Sequence, residues 1–248
     1  MATKHCLYLV SSTTLACKRR FALNFMKSLE THLRDTEWMG CLGPELAAYV
    51  QAQAIERHVP AGSFVYSRGM EPEFWIGVIE GLLLMCRNSQ AGRTTAVASV
   101  HCGDWIGEAS LLFLKQRQFD LVAVRASRLA CIPRATFRHL YETSIPFNHY
   151  LVLKLGKRVG QFARLISSDR MLTPVGRIAL CFTGFVDSQG LRDGDRVEIT
   201  QMEAGRLTGL SRQHVNKALH ALAESKVICI ERGGVRILDI EPLRALIS

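Results

Sequence analysis

Short runs of alternating apolar and polar residues, separated by turn residues, fill the chain from about residue 56 to residue 133. Strand-length runs at such spacing predict a β-sandwich or jelly-roll sheet, in which glycines take left-handed turn positions. The sequence NSQAGR at residues 88–93 lies between two strand-like runs and is typical of a hairpin loop. The glycines that separate the runs are Gly62, Gly69, Gly81, Gly92 and Gly103.

The period changes to a helical one from residue 146 to about residue 169. Apolar residues there recur at spacings of 3, 4, 3 and 4, which predicts a dimerisation helix over residues 146–170. The alternative is that this apolar face lies on the β domain of the same chain. The predicted interface residues are Val152, Leu155, Val159, Phe162 and Ile166.

A break in the helical pattern follows at SSDRMLTP, residues 167–174. Thr173 can cap a new helix, and Pro174 fits the first helical position, where its missing N–H costs nothing. We therefore expect a domain hinge at residues 169–174, a helix to about residue 185, and a short strand in VEIT at residues 197–200.

The chain closes with a helix, a turn, a helix and a hairpin. Thr200 and Glu203 match a capping box that opens a helix over about residues 201–208, and Gly209 supplies the left-handed turn that ends it. Ser211 then caps a second helix that reaches about residue 225. Two apolar runs joined at residues 233–234 predict a β-hairpin beside it, the wing of a winged helix–turn–helix.

The second helix buries Val215, Leu219 and Leu222 on one side and carries polar residues on the other, at its N-terminal end. A recognition helix needs this arrangement, because polar side chains there reach base edges while the first amides meet phosphate. Arg212 would donate to guanine and Gln213 would pair with adenine, whereas Lys217 would contact a base or a phosphate. The predicted DNA-binding residues are Ser211, Arg212, Gln213, Asn216, Lys217 and Arg232.

Composition and charge favour a nucleic-acid partner and disfavour a metalloprotein, an enzyme or a membrane protein. A net charge of +9 favours a polyanion, most often nucleic acid. The eight cysteines form no Cys-x-x-Cys pair, so the sequence predicts no metal site and no other evident cofactor. No nucleophile–base pair or phosphate loop supports an enzyme. No run approaches the ~20 apolar residues of a membrane span, and the charges after residue 17 oppose export, which predicts a cytoplasmic protein without a membrane partner.

From about residue 56 onward the chain resembles the cyclic-AMP receptor protein / fumarate-nitrate regulator (Crp/Fnr) superfamily of bacterial transcription factors. The resemblance implies an α+β fold with an effector-binding β-roll of the cyclic-nucleotide-binding type, a double-stranded β-helix or jelly roll. A long dimerisation helix and a C-terminal winged helix–turn–helix follow. It also implies a homodimer on a palindromic operator in double-stranded DNA, and contact with RNA polymerase through the loop at residues 187–195. The motifs that carry the resemblance are VIEG at 78–81, GDWIGE at 103–108, VRA at 124–126, VGRIAL at 175–180 and ITQMEAGRLTGLSRQHVNKAL at 199–219.

The chain departs from the cyclic-nucleotide binders of that superfamily at two places. Asp120 and Leu121 stand where an arginine and a serine or threonine would bind the phosphate, and a carboxylate there repels an anion. Phe162 and Ala163 stand where a threonine–serine pair would face the purine. The resemblance therefore implies an unidentified small-molecule effector other than cyclic AMP.

Arg117 and Arg125 are candidates to hold a different anion, although ordinary surface or ion-paired roles are favoured for both. The recognition helix departs as well, because Gln213 replaces a glutamate that is common in the superfamily and accepts from cytosine, so the half-site is expected to differ there. The effector-binding candidates are Glu108, Arg117, Arg125 and Phe162.

These features predict a homodimeric DNA-binding regulator whose DNA affinity is controlled by an effector in the roll. Two alternatives remain open: a regulator of the same fold that senses redox state or binds haem, with His101-Cys102 or His149 as ligands, and a ligand-binding regulatory subunit that does not bind DNA. The predicted domains are a leader or helical extension at 1–40, the roll at 41–145, the dimerisation helix at 146–170 and the DNA-binding domain at 171–248.

Overall fold

The computed structural model describes residues 28–88, 94–113, 116–169 and 172–247. It confirms the α+β architecture: a β-roll flanked by helices, one long helix, and a C-terminal winged helix–turn–helix. Within these ranges no helix is long and apolar enough to cross a membrane. The predicted hinge and the loop at residues 88–93 are only partly inside the described ranges.

Three helices precede the roll: two lie within residues 1–40, where a leader or helical extension was predicted, and the third was not predicted. Trp38 is fully buried and packs against Trp75 and Trp105 of the roll, with ring centroids 4.9 and 5.0 Å apart. Leu33 belongs to the same core, so the packing shows no break at the predicted boundary after residue 40. The helices are α1 (Leu29–Arg34), α2 (Glu37–Gly40) and α3 (Pro44–Gln53).

The roll consists of two four-stranded antiparallel sheets with strand orders β1-β8-β3-β6 and β2-β7-β4-β5. The predicted turn glycines Gly62, Gly69, Gly81 and Gly103 all have positive φ values, which confirms their role. The strands are β1 (Ile55–Val59), β2 (Phe64–Tyr66), β3 (Phe74–Glu80), β4 (Leu82–Asn88), β5 (Thr94–His101), β6 (Trp105–Ile106), β7 (Asp120–Ala123) and β8 (Ser127–Pro133).

The long predicted helix is present and is one part of a larger helical region. A short helix, α4 (Glu108–Leu112), lies within the roll, and α5 (Arg134–Thr143), which the sequence analysis missed, leads into α6 (Ile145–Asp169). Phe147 and Leu151 of α6 are buried against the tryptophan core. One side of α6 therefore packs on the roll of its own chain.

The C-terminal domain follows the predicted order closely. Thr173 caps α7 (Pro174–Gln189), where its side chain accepts from the amide of Gly176 at 3.2 Å. That helix extends four residues beyond its predicted end, and the strand predicted in VEIT lies slightly earlier. The remaining elements are β9 (Arg196–Val197), α8 (Gln201–Thr208), α9 (Arg212–Glu224), β10 (Ile228–Glu231), β11 (Gly234–Ile237) and α10 (Ile240–Ala245).

Candidate functional site

The turn between α8 and α9 has the geometry that the sequence predicted. Thr200 and Glu203 form a complete capping box at the start of α8, and Gly209 ends that helix at φ 69°. Ser211 caps α9: its hydroxyl accepts from the amide of His214 at 3.4 Å and lies 2.8 Å from the Nδ1 atom of that ring. These local bonds fix the angle at which α9 leaves the turn.

The exposed face of α9 brings the predicted DNA-binding residues together. Val215, Leu219 and Leu222 are at most 3% exposed and attach the helix to the domain core. The opposite face is polar and exposed to solvent. The predicted residues on that face are Arg212, Gln213, Asn216 and Lys217.

Two further residues belong to this surface and were missed. Gln201 of α8 donates from Nε2 to Oδ1 of Asn216 at 3.3 Å, so it ties the two helices together and leaves the amide NH2 of Asn216 to donate elsewhere. His220 is exposed one turn beyond Asn216, on the same face. The spacing 213, 217 and 220 was a visible signal for His220. The role of Gln201 depends on the crossing of two helices, which the pattern does not report.

The wing is an antiparallel pair, β10 with β11, and its tip carries Arg232 in an exposed position. Glu231 fixes the base of the tip, because its carboxylate lies 2.7 Å from Nε of Arg236 and 3.4 Å from Nε of Arg196. Arg196 also donates to the backbone oxygen of Arg232 at 2.8 Å. Arg236 is thus largely occupied within the domain, whereas the guanidinium of Arg232 remains available to a partner.

The positive potential of this surface comes from the positions of its charged side chains and not from the net charge of the domain. Residues 171–248 contain 10 Lys and Arg against 9 Asp and Glu, a net charge of only +1 by 10 − 9, so the +9 of the whole chain is not concentrated here. Several of those carboxylates are paired inside the protein, for example Asp187 with Arg244 at 2.8 Å. The positive groups at the start of α9 and on the wing therefore decide which partner the surface attracts.

Inside the roll, Glu108 and Arg117 both lie next to Gly107. Arg117 is 3% exposed, donates from Nη1 to the backbone oxygen of Gly107 at 3.1 Å and lies 4.3 Å from the ring centroid of Tyr66. Its Nε atom is buried without a hydrogen bond to any described residue. Burial lowers the pKa of this guanidinium, which stays charged. Arg117 is therefore a buried cation next to Gly107 with one N–H that no described residue binds.

Glu108 is 2% exposed and also belongs to the roll's inner network. Its carboxylate accepts from Nε1 of Trp75 at 3.3 Å, and Nε of Arg158 on α6 lies 3.8 Å away. Lys154, one turn earlier on α6, has its pKa lowered by burial, with Glu108 opposing that shift. This carboxylate therefore connects the roll to the long helix.

The structure does not bring the other two effector candidates, Arg125 and Phe162, next to Glu108 and Arg117. Arg125 is turned towards the C-terminal domain and donates from Nε to Glu203 at 2.9 Å, so the structure corrects its assignment as an anion ligand and supports the ion-paired alternative. The side chain of Phe162 lies outside the described residues. Asp120 and Leu121 serve the fold, since Asp120 accepts from the amide of Arg68 at 2.8 Å and Leu121 is fully buried.

The proposed haem and thiol sensors find little support in their surroundings. The ring of His101 is 3% exposed and covered by Phe185, with ring centroids 4.3 Å apart. Burial raises the pKa of Cys86, of Cys131 to about 11 and of Cys181 to about 12, which disfavours the reactive thiolate. Among the described residues, no group of three or more His, Cys, Asp or Glu is placed to hold a metal ion.

The burial of His101 between the roll and α7 predicts that the contact between the two domains weakens in acid. Burial lowers its pKa from 6.5 to about 4; Asp104 opposes this shift and Arg125 adds to it. Nε2 lies 2.8 Å from the Ser99 hydroxyl. Because the pKa of His101 is lower in the folded protein than in the unfolded chain, its neutral form contributes to the free energy of unfolding above about pH 6.5. That contribution is lost as the pH falls towards 4, by about 2 kcal/mol between pH 7 and pH 5.

We expect His101→Gln to flatten that dependence: its melting temperature should fall less than that of the wild-type protein when the pH is lowered from 7 to 5. Differential scanning calorimetry of both proteins at the two pH values measures the difference. Equal losses in the two proteins would show that His101 is not the titrating group.

On α6, the predicted interface residues divide into three groups. Val152 and Val159 are 67% and 68% exposed, although both are apolar. Leu155 is half-buried. The side chains of Phe162 and Ile166 lie outside the described residues. The backbone of α6 nevertheless carries all five positions on one continuous helix.

Comparison with known proteins identifies both halves of the chain. A family model described as the cyclic nucleotide-binding domain matches residues 56–144, and one described as the Crp-like helix-turn-helix domain matches residues 176–246. The first match covers the roll and α5. The second covers the recognition helix and the wing.

Two curated relatives align with most of this chain. The cAMP-activated global transcriptional regulator Vfr of Pseudomonas aeruginosa is 24% identical over 187 residues, which are 73% of this chain and 87% of that protein. The cAMP-activated global transcriptional regulator CRP of Pasteurella multocida is 26% identical over 191 residues, 75% of this chain and 91% of that protein. These relatives are transcriptional regulators and not enzymes.

A solved structure agrees with the fold. FixK2 from Bradyrhizobium japonicum superposes with a TM-score of 0.67 at 14% identity, covering 78% of this chain and 96% of that chain. At this identity the likeness concerns the fold alone.

Proposed function

Since the chain belongs to the Crp/Fnr superfamily of DNA-binding transcription regulators, we propose that it acts as a homodimer on a palindromic operator under the control of a small-molecule effector in the roll. The observation that carries the DNA contact is the open polar face of α9, capped by Ser211 and flanked by Arg232 of the wing. Side chains at the start of such a helix reach base edges in the major groove, while a wing arginine reaches phosphate.

The exposed apolar stripe on α6 supports the dimer. Val152 and Val159 are separated by one heptad, and water would otherwise cover about two-thirds of each side chain. A second copy of the helix offers the same stripe in a self-complementary arrangement. Two copies of α9 would then read half-sites one DNA turn apart, at ~34 Å.

The effector site is proposed to lie beside Glu108 and Arg117. Both side chains are buried, and the Nε atom of Arg117 has no hydrogen-bond partner among the described residues, so this N–H is open to a ligand. Asp120 and Leu121 argue against a cyclic nucleotide, because a carboxylate repels the phosphate and a leucine offers no hydrogen bond. A ligand acts on DNA affinity only through unequal affinity for two arrangements of the protein.

RNA polymerase is a further proposed partner in the cytoplasm, through the loop at residues 187–195. Much of that loop is bound within the domain, since Asp193 accepts from the amide of Ile240 at 2.9 Å and Asp195 accepts from the amide of Arg192 at 2.9 Å. These bonds give the loop a defined shape. A defined and exposed loop is suited to a protein contact.

Salt dependence tests the DNA contact. We expect the affinity for duplex DNA to fall steeply with salt, and Arg232→Ala to reduce the slope of log K against log [salt] by about 2 in a dimer, roughly one unit per phosphate contact. Fluorescence anisotropy on a labelled duplex between low and high salt measures both slopes. Arg244→Ala, which removes an arginine paired with Asp187, is the matched control. An affinity independent of salt would contradict DNA as the partner.

A further inference from the structure

The outer face of the sheet that contains β4 carries apolar side chains that a free roll would expose to water. Leu82, Leu84 and Cys86 point outward and alternate with Leu83 and Met85, which face the roll interior. The three outward residues are nevertheless at most 6% exposed, because they belong to one apolar cluster with α7, α8 and α9. The two domains are therefore packed together over this surface as well as joined by the chain.

One ion pair connects the domains at the edge of this cluster. Nε of Arg125, in the turn between β7 and β8, lies 2.9 Å from Oε1 of Glu203 on α8. Nη2 of Arg125 donates to the backbone oxygen of Glu198 at 3.0 Å. The second oxygen of Glu203 accepts from the amide of Thr200 at 2.8 Å. A single carboxylate thus caps α8 and binds the roll.

The Arg125–Glu203 ion pair lies between two further elements, the recognition helix on one side and β7 on the other. Towards DNA, Gln201 of α8 donates to Asn216 of α9 at 3.3 Å, so α8 and the recognition helix are joined by side chains as well as by the turn. Towards the roll, Arg125 lies two residues after the end of β7, and β7 begins three residues after Arg117. One short strand therefore separates the buried Arg117 from the ion pair.

We propose that Arg125 is a positioning residue: with Glu203 it forms an interdomain latch that sets the direction of α9 relative to the roll and transmits movements of β7 to it. The functional part rests on the proposed role in DNA binding. The docked arrangement is the DNA-competent one, because it leaves the polar face of α9 uncovered. Loosening the latch therefore lowers operator affinity, since the two recognition helices are no longer aimed together.

Cys86 reports on docking without any DNA. It is 2% exposed beneath the C-terminal domain, and burial raises the pKa of its thiol, so alkylation is slow while the domains are together. In pulse alkylation of the full-length protein followed by peptide mass spectrometry, Arg125→Ala and Glu203→Gln are each expected to speed labelling of Cys86 by about tenfold, the effect of one charge-assisted hydrogen bond. Glutamine retains the helix cap, because its side-chain oxygen still accepts from Thr200.

Three controls separate undocking from unfolding. Cys131 is fully buried inside the roll and should remain protected in every variant, whereas Cys229 is exposed and should label at one rate throughout. Arg128→Ala removes a comparable arginine paired with Glu56 at 2.8 Å within the roll, and should leave Cys86 protected. The double variant of Arg125 and Glu203 should label within about twofold of the faster single variant, since both changes remove the same bond.

Unchanged labelling of Cys86 in both single variants would overturn the latch, and so would labelling in the double variant that multiplies the two single effects. The functional part has its own outcome: Arg125→Ala should lower operator affinity by about fivefold, a fraction of one charge-assisted bond, and leave affinity for non-operator DNA unchanged. A rise in operator affinity would show that the docked arrangement opposes DNA binding. Failure to bind any DNA would contradict the proposed function while leaving the labelling result intact.

Discussion

Arg212→Ala is expected to lower the affinity for the operator at least about 30-fold. A bidentate arginine–guanine contact discriminates by about 1–3 kcal/mol, and a dimer makes two such contacts, which gives about 2–6 kcal/mol. Arg212 is the first residue of α9 and is exposed to solvent, so its loss leaves no cavity and no buried group unpaired. Electrophoretic mobility shift with operator and scrambled duplexes measures the loss.

The comparison of affinity losses on the two duplexes shows whether Arg212 reads a base. Affinity for the scrambled duplex should change little compared with affinity for the operator, because base contacts specify and phosphate contacts supply most nonspecific binding. Arg138→Ala removes an exposed arginine of the roll, paired with Glu142 at 2.7 Å, and should bind both duplexes as the wild-type protein does. Equal losses on both duplexes for Arg212→Ala would show that this residue does not read a base.

Val159→Asp is expected to dissociate the dimer and to reduce operator affinity by about 100-fold or more, because each half-site is then bound without the second. Val159 is the middle one of the five predicted interface positions and is 68% exposed, and two aspartates would face each other across the twofold axis. Multi-angle light scattering after size exclusion measures the mass, and anisotropy on the same samples measures operator affinity.

A matched variant on the same helix tests the location of the interface. Lys157 is exposed on the side of α6 away from the stripe, so Lys157→Asp adds a carboxylate without entering the interface. This variant should remain a dimer and retain its melting temperature. A monomeric Lys157→Asp protein, or a dimeric Val159→Asp protein, would show that the stripe is not the contact between copies.

Local chemistry made much of the DNA-binding surface predictable. A helix cap depends on contacts between residues only a few positions apart, so the helix boundaries set by Thr200 with Glu203, by Gly209 and by Ser211 were visible in the sequence. These boundaries are confirmed. The open face of α9 followed from the spacing of its buried residues. The bond between Gln201 and Asn216 could not be predicted, since it depends on the crossing of two helices.

Long-range packing was less accessible to the sequence. The run LLLMC in β4 shows that both faces of that strand are covered, but the covering helices lie about 100 residues further along the chain. An ion-paired role was favoured for Arg125, but its partner could not be named, because nothing near it in sequence indicates Glu203. Trp38 was overlooked because α2 is only four residues long and carries little periodicity.

Selection of genomic fragments by the purified protein is the direct test of a dimer that reads DNA through α9. We expect a palindromic consensus whose half-sites are centred about one helical turn apart, ~10 base pairs, and which is unchanged by added cyclic AMP. A consensus without twofold symmetry, or recovery of fragments with no shared sequence, would contradict a dimer that reads bases through α9.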